Sequence, residues 1–179
     1  MHARGFAWAD GVPAVCLTFV EGLSPDQVER RLGADPGSRR STTFEQAADD
    51  QDFVAERFAI QVGVIDGWTV LVEPNGYVCS QDAVLADLST EGRAVTVFWN
   101  VNLDSRFGYA REGVLVRVFD PVLGTSDAGD PLPEEAGAAD GQPIHAALAL
   151  AEALTGVRVT GAWLLDEARL TVTCPLVAS

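Results

Sequence analysis

The spacing of apolar positions along this chain changes several times, and each change marks an element. Ala14 to Val20 is a mostly apolar run with β-branched and aromatic members between Pro13 and Gly22, and it predicts a strand or buried extended segment. Ser24-Pro25-Asp26-Gln27 then supplies an N-cap hydroxyl, a proline preset for the first helical position, an early acid and a capping-box glutamine. The helix it opens carries Val28 and Leu32 on one face and stops at Gly33. Ala34 to Ser41 reads as loop, and Thr42-Thr43-Phe44-Glu45 offers a second capping box for a helix to about Asp49. The acids Asp49, Asp50, Asp52 and Glu56 that follow read as a solvated connection.

From Phe58 the period becomes two. Phe58, Ile60, Val62 and Val64 alternate with their neighbours, Asp66-Gly67 is a strong hairpin signal, and Trp68 to Glu73 is the returning strand, closed by Pro74-Asn75-Gly76. Ser80 to Leu88 predicts a helix with Ser80 as N-cap and Val84, Leu85 and Leu88 on its apolar face. Ala94 to Val101 is apolar on both faces and belongs centrally in a sheet. Phe107 to Arg111 and Val114 to Phe119 form a second hairpin about Glu112-Gly113. Residues 120–142 turn to Pro, Gly, Ala and acids, which reads as a mobile loop or linker. Pro143 to Leu154 resumes as helix, a helical turn lies near 160–166, and Arg169 to Thr173 reads as a final edge strand. Hairpin-linked strands cannot make a parallel βαβ fold. The expected architecture is therefore one α+β domain over residues 1–179, an antiparallel and mainly meandering sheet with helices packed on one side.

Composition narrows the setting. Apolar residues make up 47% of the 179 positions and charged residues 21%, an ordinary globular mix that folds unaided. The net charge is −14, from 26 acids against 12 basic residues that are all arginine. A field of that sign repels phosphate backbones and steers in basic partners, so the expected partner is another protein and not a nucleic acid. Cys16, Cys79 and Cys174 are isolated and set in apolar contexts, which reads as buried thiols of a reducing compartment. Residues 1–10 contain no signal-peptide core and no later run is long enough to span a membrane, so the expected location is cytoplasmic.

Candidate chemistry is sparse. His2 reads as part of a frayed terminus and His145 as a surface residue on the polar face of the last helix, so no zinc site is expected. Asn100-Val101-Asn102-Leu103-Asp104 begins like a calcium loop, but Ser105 stands where that loop needs glycine and Arg111 where it needs glutamate. No nucleophile elbow, P-loop or dinucleotide fingerprint occurs, and no catalytic residue, metal or cofactor is assigned. Polar side chains beyond the needs of a strand end gather in two segments, Glu73 to Tyr77 and Trp99 to Tyr109. The candidate binding set is Trp68, Glu73, Asn75, Tyr77, Trp99, Asn100, Asn102, Asp104, Arg106 and Tyr109.

The stretches G-W-T-V-L-V-E-P-N-G-Y (Gly67 to Tyr77), A-V-T-V-F-W-N-V-N-L-D-S-R-F-G-Y-A (Ala94 to Ala110) and C-L-T-F-V-E-G-L-S-P-D-Q-V-E-R-R-L-G-A-D (Cys16 to Asp35) resemble an actinobacterial family of uncharacterised proteins common in streptomycetes. The resemblance runs from about Phe6 to Pro121 and touches the Leu154-Thr-Gly region. It implies a bacterial, cytoplasmic setting and brings no activity with it. The functional expectation is a non-catalytic interaction or accessory module, immunity-like or chaperone-like, with a small-molecule site or small enzyme at the two polar segments as its rival.

Overall fold

The computed structural model describes residues 5–138 and 141–176, and within them nine strands form one antiparallel sheet. In chain order the elements are β1 (Val15–Val20), α1 (Pro25–Arg31), β2 (Asp35–Thr42), α2 (Phe44–Asp49), β3 (Arg57–Ile65), β4 (Trp68–Pro74), α3 (Asp82–Leu88), β5 (Arg93–Trp99), β6 (Ser105–Arg111), β7 (Val114–Phe119), β8 (Ser126–Ala128), α4 (Glu135–Ala138), α5 (Pro143–Thr155) and β9 (Arg169–Pro175). Short 3-10 turns occupy Ala7–Gly11 and Val78–Ser80, and a π-helical turn occupies Ala162–Asp166. Across the sheet the order is β2-β9-β3-β4-β1-β5-β6-β7-β8, so two insertions interrupt the meander. β1 enters between β4 and β5, and β9 between β2 and β3.

The antiparallel α+β class stands, while the helices expected on one side flank both. Alternation along fully buried strands explains this. Val15, Leu17 and Phe19 of β1 point to a face shared with Trp68, Val70, Trp99, Phe107 and Tyr109, which α5 covers with Ala147, Leu148, Leu150 and Ala151. Cys16 and Val20 point the other way, to Phe58, Ile60, Leu71 and Val172, beneath Val28 and Leu32 of α1 and Val84, Leu85 and Leu88 of α3. A strand buried on both faces needs cover on both.

Several local expectations are corrected. Residues 34–41, read as loop, contain β2, an edge strand with a bulge between Asp35 and Arg40 that accommodates Pro36 and Gly37. β9, read as an edge strand, lies inside the sheet, its Thr171 hydroxyl 2.6 Å from that of Thr42. Thr43, one residue later than expected, caps α2 in a box with Gln46, whereas Ser24 and Gln27 box α1 as the sequence suggests. Ser80 does not cap α3. Its hydroxyl donates to the Tyr77 carbonyl within the preceding 3-10 turn, and Gln81 takes the cap position. The acidic 120–142 segment contains β8 and α4, with Arg117 tying it to β7 by bonds to Glu135, the Ser126 hydroxyl and the Gly129 carbonyl. His145 is buried, its Nε2 2.8 Å from Asp10 Oδ1, because α5 turns that residue toward the 3-10 turn at 7–11. His2 and residues 139–140 lie outside the described residues.

Candidate functional site

The register places two kinds of connection at opposite ends of the sheet. One end carries the tight hairpins at Asp66-Gly67 and Glu112-Gly113. The other carries the longer connections at 51–56, 75–77, 100–104 and 120–125. Both polar segments singled out in the sequence end here, at Glu73-Pro74-Asn75 and at Trp99-Asn100.

Asn100 builds the 100–104 turn. Its Oδ1 accepts from the Asn102 and Asp104 amides at 2.9 and 3.1 Å, and its Nδ2 donates to Asp104 Oδ2 at 2.9 Å. Its backbone amide donates to the Asp104 carbonyl and its carbonyl accepts from Leu103. Leu103 is thereby held at φ 67°, a left-handed conformation that disfavours a branched side chain, and it projects outward with 71% of its surface exposed. Val101, in the same turn, is 69% exposed, since β5 stops at Trp99 and not at Val101 as the apolar run suggested.

The neighbouring 120–125 turn is built the same way. Asp120 Oδ1 accepts from the Val122 and Leu123 amides, both at 2.9 Å, and from the Ser105 hydroxyl. Burial works against ionisation of Asp120, but the bonds from Ser105, Leu123 and Val122 outweigh it and hold the carboxyl below its ordinary range. Ser105 also accepts from the Val122 amide at 3.1 Å, so the two turns are joined. With β5, β6 and β7 adjacent, their tips lie within ~10 Å of one another. The outcome is a rigid pair of turns carrying Val101, Leu103, Val122 and Leu123 into solvent. Phe53 and Val54 are exposed in the 51–56 connection at this same end.

Glu73 lies beneath this end and is fully buried. Its carboxylate oxygens accept from the Val78 and Cys79 amides at 2.8 and 2.9 Å, capping the 3-10 turn at 78–80. Burial raises its pKa against the pull of those bonds. A Cβ at Gly76 would come within 2.9 Å of the Glu73 Cβ, so the turn closes over the carboxyl only with glycine there. Cys16, Cys79 and Cys174 are buried free thiols. Desolvation pushes Cys16 and Cys79 well above the ordinary thiol range and Cys174 up to about 12.

The ten sequence-predicted residues do not converge on one cavity. Asn75, Asn100, Asn102 and Asp104 lie in connections of the loop end, Asn75 at φ 54° with its amide bonded to the Ala14 carbonyl. Tyr77 packs edge-on to Phe58, and Arg106 pairs with Asp82 and Asp127 on the face opposite Trp99. Trp99 is core, its indole N–H donating to the Val12 carbonyl at 2.7 Å. Trp68 and Tyr109 are buried toward the hairpin end, Trp68 under the Arg93 guanidinium and Tyr109 accepting from Arg111. A cleft of about 500 Å³ opens elsewhere, between α4 and α5, among Phe6, Ala138, Ala149, Ala153 and Gly156. Among the described residues no group of three His, Cys, Asp or Glu side chains could hold a metal ion, and no helix is long and apolar enough to cross a membrane.

A family model matches residues 6–139, three quarters of the chain. The chain belongs to DUF6461, a family of unknown function. No curated protein and no solved structure matches it. The DUF6461 match includes the whole loop end of the sheet from β1 to β8 and stops before α5 and β9, although β9 pairs with both β2 and β3.

Sequence reasoning missed the apolar residues of the site. Asn100, Asn102 and Asp104 were expected in the site and form the turn, while Val101 and Leu103 between them were not expected there. Residue type marks the turn-formers, whereas nothing in the sequence marks Val101 and Leu103 as exposed.

Proposed function

We propose that this protein is a non-catalytic interaction module that contacts a partner protein through the loop end of its sheet. One observation carries the reading: the strained, exposed Leu103, fixed outward by Asn100 beside Val101, Val122 and Leu123. Of nine exposed large hydrophobic residues among the described ones, six lie at this end, a concentration that marks interaction surfaces. A small-molecule site in the 73–77 and 99–109 segments draws less support, because its polar groups are engaged in turns, caps and ion pairs. The same reading puts the protein in the cytoplasm of an actinobacterial cell, on the strength of three free thiols, the acidic charge and the family resemblance.

The test is retention of proteins from a native extract by the tagged chain and by a Leu103→Asp/Leu123→Asp variant of unchanged circular dichroism. The expected result is at least one protein held by the native chain and released by the variant. Identical retention by both, or none by either, would refute the reading.

A further inference from the structure

Resting on the interaction reading above, we infer that the partner is a cationic protein that meets the loop end with lysine or arginine interleaved with apolar side chains. Shape comes first. Val101, Leu103 and Leu123 are 69%, 71% and 72% exposed, so they protrude and offer apolar side chains that a partner's own apolar side chains can enclose. The two joined turns present them from a fixed backbone, which lowers the entropy lost on docking.

Charge selects the class of partner. Asp104 and Asp120 belong to the two turns themselves. Asp82 and Asp127 converge on Arg106, the residue after the Ser105 that binds Asp120. Two carboxylates thus belong to the turns that carry the apolar tips, and two more pair with the Arg106 guanidinium next to them. Nucleic acid and anionic lipid carry the wrong sign for such a surface. A second copy docking through the same end would set four acids against four. Lysine and arginine interleaved with apolar side chains complement it. In such a complex the apolar tips govern how long the partner stays and the acids govern how fast it arrives.

The test is an NMR titration of the full chain with three synthetic peptides, one of lysine and leucine, one of lysine and serine, and one of glutamate and leucine. The expected result is binding of the lysine/leucine peptide, with amide shifts confined to residues 100–105 and 120–127 and affinity falling as salt rises. Leu103→Gly/Leu123→Ser should weaken it about tenfold. Asp82→Asn/Asp104→Asn/Asp127→Asn should flatten the salt dependence. Equal binding of the glutamate/leucine peptide, or shifts scattered over the acidic surface and matched by lysine/serine, would overturn the inference. If extract proteins are still held through Leu103 and Leu123 while the lysine/leucine peptide fails to bind, the interaction reading survives and the cationic partner does not.

Discussion

The two ends of the sheet reverse the chain between the same antiparallel strands with different amounts of sequence. At the hairpin end, Asp66-Gly67 and Glu112-Gly113 do it with two residues each, both at positive φ, the geometry that matches strand twist. At the loop end, Asn100 to Asp104 and Asp120 to Thr125 use five and six residues and add side-chain bonds from Asn100, Ser105 and Asp120. The extra residues include the exposed Val101, Leu103, Val122 and Leu123. A turn that needs only reversal ends in Gly, whereas one that holds a leucine at φ 67° keeps an arrangement that folding alone does not require.

The largest expected effect lies beneath the loop end. Glu73→Ala leaves two buried amides without acceptors and opens a cavity, and should cost ~3–5 kcal/mol in a denaturant titration. An effect within 1 kcal/mol would show that the loop end does not depend on this carboxyl. The pH dependence sharpens the point. A carboxyl whose folded pKa is raised contributes stability that is fully present below its unfolded pKa, ~4.3, and is lost as pH rises through the folded value. Stability should therefore fall as pH rises from ~4.3 to the folded value and level off above it. In Glu73→Gln this fall should vanish, even though the variant is weaker throughout because its amide group cannot accept from both backbone donors.

Next in size, Asn100→Ala should cost ~2 kcal/mol and also weaken partner binding, since Asn100 is what fixes Leu103. Gly67→Ala, at φ 81° in open space, should cost ~1 kcal/mol by thermal melting and leave binding untouched. Smallest is Leu103→Gly, which relieves the left-handed strain and should leave stability unchanged or raised by up to ~1 kcal/mol while weakening binding. A destabilised Leu103→Gly with intact binding would reverse the roles assigned to the two ends.

How far the sequence disclosed this division follows from how local each signal is. The hairpins were legible because Asp-Gly and Glu-Gly carry their own backbone preferences, and Ser24 to Gln27 announced α1 for the same reason. β2 was not legible. Its Pro36-Gly37-Ser38 reads as turn, and only β9, more than a hundred residues away, supplies the ladder that makes it a strand. The cover on both faces was hidden likewise, since it depends on β1 crossing between β4 and β5. At the site, the polar turn-formers were visible by residue type. The exposure of Val101, Leu103, Val122 and Leu123 was not, because an apolar residue carries no mark of which side of the surface it will occupy.

Site-specific photo-crosslinking in the native host sets one end directly against the other. A photoreactive residue at Leu103 and, separately, one at Val64 of the hairpin end, 56% exposed, compare two accessible apolar positions in the same fold. The account predicts a discrete crosslinked partner from Leu103 and none from Val64. The same partner from both positions, or one from Val64 alone, would contradict it.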